Sequence, residues 1–244
     1  MRIDILTIFP EFFVPLDFSI IKKAKLSGKV EIHIHNLRDY THDAHKTVDD
    51  APYGGGSGMV MKPDILCEAV TDIKKMNPCG KVIFMSPQGK VLTQDKCIEL
   101  SESKGFILVT AHYEGVDERF VELICDEEIS IGDYVLTGGE IPAMVLTDAV
   151  VRQIPGVIDS ESLAQDSFMN GLLLDYPHYT RPPVFNGLEA PKVLLSGNHA
   201  EIAKWRKLQK IKNTFFKRPE LLEKVTLDED GKNFLKAIAD FSDL

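Results

Sequence analysis

The sequence predicts an α/β fold: a parallel sheet with helices on both faces, followed by a small all-helical C-terminal domain. Two observations carry the expectation. Short runs dense in Ile, Val, Leu and Phe alternate with stretches of helical period through the first part of the chain. A strand covered on both faces needs that kind of unbroken apolar run. The alternation stops near Pro155.

In chain order, Arg2 to Phe9, Val30 to Leu37, Lys81 to Ser86 and Phe106 to Ala111 read as buried strands. Between and after them, Glu11 to Ser27, Pro63 to Met76, Thr93 to Ser103 and Asp117 to Cys125 read as helices. One more helix, Ile141 to Gln153, follows the turn at Gly138-Gly139. Residues 156–172 hold Gly, Ser, Asp, Asn and Gln without periodicity and read as a mobile linker or lid. Farther on, Trp205, Leu208 and Ile211 recur at helical spacing, and Thr226-Leu-Asp-Glu229 has the form of a capping box. The expected division is an α/β domain over 1–158, a lid over 159–172 and a helical domain over 173–244.

Composition narrows the function classes. No apolar run reaches the roughly 18 residues of a membrane span, and Asp4 interrupts the first apolar run, which marks a strand and not a signal peptide. A cytoplasmic protein with no membrane partner is expected. Cys67, Cys79, Cys97 and Cys125 are scattered, without the spacing of a metal site, and read as free thiols of a reducing compartment. The net charge of −9 argues against a nucleic-acid partner until its distribution is read. Ala203 to Arg218 carries seven cations and no acid, whereas Glu114 to Asp148 carries ten acids and one cation. A basic segment on an acidic body suits a protein that touches phosphate with one part only, or a merely solvated helix face.

Three segments stand where strands end: Ser86-Pro87-Gln88-Gly89, Tyr113-Glu114-Gly115, and Ile131 through Gly132, Asp133, Tyr134, Val135 and Leu136 to Gly138-Gly139. Open α/β sheets bind ligands beyond the carboxyl ends of their strands, where such turns expose backbone donors and acceptors. The string Tyr53-Gly-Gly-Gly-Ser-Gly58 lacks both the Lys-Ser/Thr ending of a phosphate loop and dinucleotide spacing. It reads either as a flexible turn or as backbone shaped to meet a ligand. Asp166 in the lid and Arg152 at the end of the helix before it form an acid–guanidinium pair suited to proton acceptance and oxyanion stabilisation, although an Asp in a polar loop is ordinarily just solvated.

Several blocks together are more telling: Thr47-Val-Asp-Asp-Ala-Pro-Tyr-Gly-Gly-Gly-Ser-Gly-Met59, Ser86 to Gly89, Tyr113 to Arg119, Ser130 to Glu140, Asp166-Ser-Phe168, Pro177 to Pro182 and Leu194 to Glu201. In order and spacing they closely resemble the bacterial tRNA (guanine-N1)-methyltransferase family, TrmD, of the SPOUT class. The resemblance implies a deep C-terminal trefoil knot, a homodimer, and S-adenosylmethionine as methyl donor. It places the cofactor among Ser86 to Gly89, Ala111 to Gly115 (Tyr113 and Glu114 included), Ile131 to Leu136, Gly138, Gly139 and Pro142. It implies that Asp166 removes the N1 proton of the guanosine at tRNA position 37, that Arg152 stabilises charge on O6, and that Arg181, Lys204, Arg206 and Lys207 hold the tRNA. It also brings a Mg²⁺ dependence, for which the sequence shows no ligand spacing. Two departures stand out: Ser57 where many relatives have Pro, and Thr110-Ala111 where Cys-Gly is common. If the family's Gly needs positive φ, Ala111 is strained. The competing readings are a SPOUT methyltransferase of another RNA specificity and a non-catalytic RNA-binding protein.

Overall fold

The computed structural model describes residues 1–169 and 172–242, so Asn170 and Gly171 of the expected lid lie outside the described residues. The chain divides into two compact units, residues 1–158 and 159–244.

The first unit runs β1 (Arg2–Thr7), α1 (Ser19–Leu26), β2 (Glu31–Asn36), the short pair β3 (Asp49–Asp50) and β4 (Val60–Met61), then α2 (Pro63–Met76) and β5 (Lys81–Val91). It continues through α3 (Gln94–Ser101), β6 (Gly105–Thr110), α4 (Glu118–Ile124), β7 (Glu127–Ser130) and α5 (Glu140–Val151). The main sheet has the order β2-β1-β6-β5-β7, with every neighbouring pair parallel. Two apolar layers cover it, which explains the unbroken apolar strands. Ile3, Ile5, Ile83, Phe106 and Leu108 pack with α1, α3 and α5 residues such as Ala24, Leu100 and Leu146. Leu6, Val82, Phe84, Ile107 and Val109 pack with Leu66, Ile73 and Phe120 of α2 and α4.

Two details differ from expectation. The helix expected over Glu11 to Ser27 is a 3₁₀ segment, Pro10–Asp17, followed by α1. Pro15 cannot donate to a helical ladder, and Ser19 has φ of 52°, so the chain breaks between the two. The strand β7, which ends at the turn before Ile131, has no apolar run to mark its bounds, because its four residues begin with Glu127-Glu128.

Asp4 is fully buried in β1 yet fully partnered. Arg2 donates to both carboxylate oxygens at 2.9 and 2.8 Å, Asn77 Nδ2 donates at 3.0 Å, and His35 Nε2 lies 2.8 Å away. Burial pushes its pKa up, but the hydrogen bonds from His35, Arg2 and Asn77 outweigh it and hold the carboxyl well below the usual range. The four cysteines are free; Cys97 is buried, Cys67 and Cys125 are half-buried, and Cys79 is exposed. Burial pushes the thiols of Cys97 and Cys125 up to about 11 and about 12, so both stay neutral.

The second unit contains α6 (Ser160–Gln165), a hairpin of β8 (Val184–Phe185) and β9 (Leu188–Glu189), then α7 (Lys192–Leu195), α8 (His199–Lys217) and α9 (Glu229–Ser242). It is therefore not all-helical. Pro182 and Pro183 precede the hairpin, and Asn186 and Gly187, with φ of 50° and 80°, make its two-residue turn. Part of the stretch read as a lid is α6, whose first turn is held by Asp159 accepting from the Glu161 and Ser162 N–H groups. The capping box at Thr226 does not form. Asp228 opens α9 instead, its carboxylate accepting from the Gly231 N–H at 3.0 Å.

Candidate functional site

A cleft lies at the carboxyl ends of β5, β6 and β7, lined by three loops. From the β5 loop come Ser86 and Pro87, and from the β6 loop Ala111, Tyr113, Glu114 and Gly115. From the β7 loop come Ile131, Gly132, Tyr134, Val135, Leu136, Gly138 and Gly139, joined by Pro142 of α5.

Each loop is shaped by a local steric demand. In β5, Met85 and Lys90 both pair with Ile129 of β7, so Ser86 to Gly89 loop out of the ladder as a four-residue excursion. Ser86 Oγ accepts from the Gln88 N–H at 3.1 Å. Gly89 closes the excursion against β7, where a Cβ would sit 2.4 Å from the Glu128 carbonyl carbon. After β6, Tyr113 takes φ of 60°, a costly conformation for a residue with a side chain and one that clusters at functional sites. Gly138 and Gly139 allow the third loop to press on the second. The Gly139 N–H donates to the Ala111 carbonyl at 2.8 Å, and a Cβ on Gly139 would lie 2.9 Å from the Ala111 nitrogen.

Beneath the contact lies a buried carboxylate. Glu140, the first residue of α5, is 2% exposed and receives the Thr7 hydroxyl at 3.0 Å, with Thr110 Oγ1 at 3.2 Å. His112 Nδ1 is buried without a hydrogen-bond partner, 3.7 Å from Glu140 Oε2. Its ring meets Phe9 and Tyr113 edge-on, at centroid separations of 5.0 and 5.5 Å.

The glycine-rich string contributes to this architecture. Gly54, Gly55, Gly56 and Gly58 all have φ between 79° and 123°, which residues with side chains avoid. Its exit, β4, runs beside the second loop: Glu114 N–H donates to Met59 O at 3.0 Å and Met61 N–H to Gly115 O at 2.9 Å. A Cβ on Gly58 would fall 2.3 Å from Glu114 Oε1.

A family model described as tRNA (Guanine-1)-methyltransferase TrmD matches residues 1–224 of this chain. The chain belongs to the TrmD family. It is 55% identical over 240 residues to a tRNA (guanine-N(1)-)-methyltransferase of Dictyoglomus turgidum, covering 98% of this chain and 96% of that one. Proteins of the same name from Chloroflexus aggregans and Syntrophomonas wolfei are 53% and 51% identical. Those matches cover 91% and 98% of this chain, and 88% and 97% of the relatives.

Of the residues expected from the TrmD resemblance to hold a cofactor, fifteen line the cleft and Gln88, Gly89 and Asp133 do not. Gly89 shapes the first loop from behind. Met85, Ile129, Ser130 and Thr137 also line the cleft and were not foreseen. Three of them adjoin expected residues in sequence, so extending the loops by one or two positions finds them all. Ala111 is not among the residues with positive φ, so this departure from the TrmD pattern carries no strain. Arg152 caps the far end of α5, ten residues beyond Pro142 and roughly 15 Å along the helix. Asp166 stands at the C-cap of α6 in the second unit, its N–H donating to Leu163 O at 3.2 Å.

The expected tRNA contacts also fall in the second unit. Arg181 and Lys204 are exposed. Lys207 pairs with Asp228, and the Arg206 guanidinium lies 4.8 Å over the Tyr176 ring. Among the described residues, no group of three His, Cys, Asp or Glu could hold a metal ion, and no helix is long and apolar enough to cross a membrane.

Proposed function

We propose that this chain is a cytoplasmic homodimer that transfers a methyl group from S-adenosylmethionine to N1 of the guanosine at tRNA position 37. What carries the reading is the coincidence of a TrmD-family match over residues 1–224 with a cleft built from the loops that the family resemblance singles out.

The donor set fits S-adenosylmethionine. Pro87, Ile131, Val135, Leu136 and Pro142 offer apolar contact for the flat purine, and the glycine-rich loops leave backbone N–H and C=O groups for its edges. Glu114 places a carboxylate at the mouth, suited to the positive sulfonium end. The cofactor, when bound, supplies an electrophilic methyl group.

N1 of guanine is protonated and a poor nucleophile until that proton leaves. In this reading Asp166 accepts it as general base, and the negative charge that gathers on O6 is met by the Arg152 guanidinium. The segment 159–172 serves as a lid that completes the site only over the correct RNA. Lys204, with Arg181, Arg206 and Lys207 of the helical part, engages phosphate and sets register.

The packing of Gly139 against Thr110 and Ala111 and of Gly138 against His112, with α5 returning to the sheet beside β1 and β6, supports the trefoil knot implied by the family. Apolar surface supports the dimer. Ile141 and Val145, one turn apart on α5, remain about four-tenths exposed, and Phe12 and Val14 of the 3₁₀ segment packed on α5 are exposed as well. No residue is assigned to Mg²⁺.

The deciding experiment is methyl transfer from labelled S-adenosylmethionine to two tRNA transcripts, one with guanosine and one with adenosine at position 37. Label in the first alone, mapped to N1, is expected. Equal label in both would point to another RNA specificity, and none in either would leave an RNA-binding protein. Asp166→Ala is expected to abolish turnover while cofactor affinity, read by calorimetry, stays unchanged. Loss of cofactor binding in that variant would remove Asp166 from the role of base.

A further inference from the structure

The second unit holds a groove of about 710 Å³ between α8 and the segment that leads into α9. Its α8 wall is the stripe Ala203, Arg206, Lys207, Lys210 and Ile211. That spacing marks the inward face of a helix, where apolar side chains are ordinary. Here three of the five positions are cations, and Lys224 adds a fourth from the opposite wall. Among the described residues Asp228 is the sole carboxylate in the lining.

The compensation is incomplete. Asp228 is taken by Lys207, and Lys210 lies 3.6 Å from Asp175 with a hydrogen bond to the Gln165 carbonyl. Among the described residues this leaves Arg206 and Lys224 without a carboxylate at ion-pair distance, Lys224 having only the longer-range field of Glu220. The Arg206 Nε is buried with no hydrogen-bond partner, although its guanidinium is fixed in place over Tyr176. A buried guanidinium donor is costly to leave unsatisfied, and a planar fork held by stacking is preorganised for an oxyanion.

We propose that this groove is a phosphate-binding site, with Arg206 as its anchor and Lys210 and Lys224 completing it. The basic helix then has two roles on two faces. Lys204 and Lys212 face solvent, whereas Arg206 and Lys210 face the groove. The phosphoryl group comes either from the backbone of a bound RNA, an arm that rests on the methyltransferase reading, or from a free phosphate or nucleotide.

The test uses the full-length protein titrated with inorganic phosphate at constant ionic strength, followed by calorimetry and phosphorus NMR. One saturable site per chain is expected, weakened about tenfold or more by Arg206→Gln or Lys210→Gln and unchanged by Lys212→Gln. Melting temperatures are measured alongside. If Arg206→Gln unfolds the unit, Lys224→Gln on the other wall decides the question. Binding that survives both Arg206→Gln and Lys224→Gln, or that falls equally with Lys212→Gln, overturns the site. Phosphate that raises the tRNA KM of the wild type but not of Arg206→Gln assigns the site to RNA backbone. Saturable phosphate binding with no such competition assigns it to a free anion. Absence of methyl transfer to any tRNA would sink the enzyme reading without touching the phosphate titration.

Discussion

Gly139→Ala tests whether the cleft is the cofactor site and whether its walls must touch. The added Cβ would meet the Ala111 nitrogen and the Thr110 Cα, both at 2.9 Å. Both atoms are backbone, anchored by β6 at the centre of the sheet, so the third loop must yield by about 0.5 Å to reach ordinary contact distance. That movement breaks the 2.8 Å hydrogen bond from the Gly139 N–H to the Ala111 carbonyl. Overpacking of this kind costs roughly 1–3 kcal/mol and the broken bond about 1 more. If the cost falls on the bound geometry, cofactor affinity drops roughly 30- to 700-fold. The assay is calorimetric titration with S-adenosylmethionine, beside urea denaturation of the unliganded protein. Unchanged affinity, whatever happens to stability, would mean either that the loops do not hold the cofactor or that their contact does not set the cleft.

Three other outcomes follow from the same geometry. Asp4→Asn is expected to cost about 3 kcal/mol at neutral pH, because it leaves Arg2 and His35 around a buried neutral amide. The folded carboxyl titrates below its unfolded value of about 3.9, so its stabilisation is complete above that pH and is lost as pH falls further. The gap between wild-type and variant denaturation midpoints should therefore close below about pH 4, and a gap constant with pH would rule the network out as its source. Gly58→Ala combines a φ of 83° with a contact at Glu114, and should raise the cofactor KM more than Gly54→Ala, whose added Cβ meets nothing. Equal effects would show that only the loop's conformation matters. Lys204, Arg206 and Lys207 changed together to Ala should weaken tRNA binding and flatten its log–log salt slope by about two, near 0.7 for each phosphate no longer neutralised. An unchanged slope would move the RNA contact elsewhere.

The strands that sequence reading found are those whose burial on both faces leaves an unbroken apolar run, such as Gly105–Thr110. The bounds of β7 left no such run because two of its four residues are acids, Glu127 half-buried beside Lys96. The hairpin at Asn186-Gly187 was legible, since that dipeptide between apolar residues is a strong turn signal, and a helical reading of the whole region overrode it. At the cleft, the loops were visible as glycine-bearing turns after strands, but their touching was not. Nothing in the neighbourhood of Gly139 says that residues 110 and 111 lie against it. The approach of His112 to Glu140 was hidden for the same reason: the two are 28 residues apart in sequence, and only the fold brings them within 3.7 Å.

The cleft takes one wall each from β5, β6 and β7, and the last wall arrives with α5, so no fragment of the sheet contains it. A nascent chain has no binding site until residues near 142 have docked against strands formed much earlier. Such non-local closure is slow, and it makes ligand capture an all-or-none property of the finished unit. Saturating cofactor at 100 times its Kd would add about 2.7 kcal/mol to the completed form and nothing to its precursors. The methyl donor would thus act as a late folding ligand, drawing the population toward the assembled state without sheltering partly folded chains.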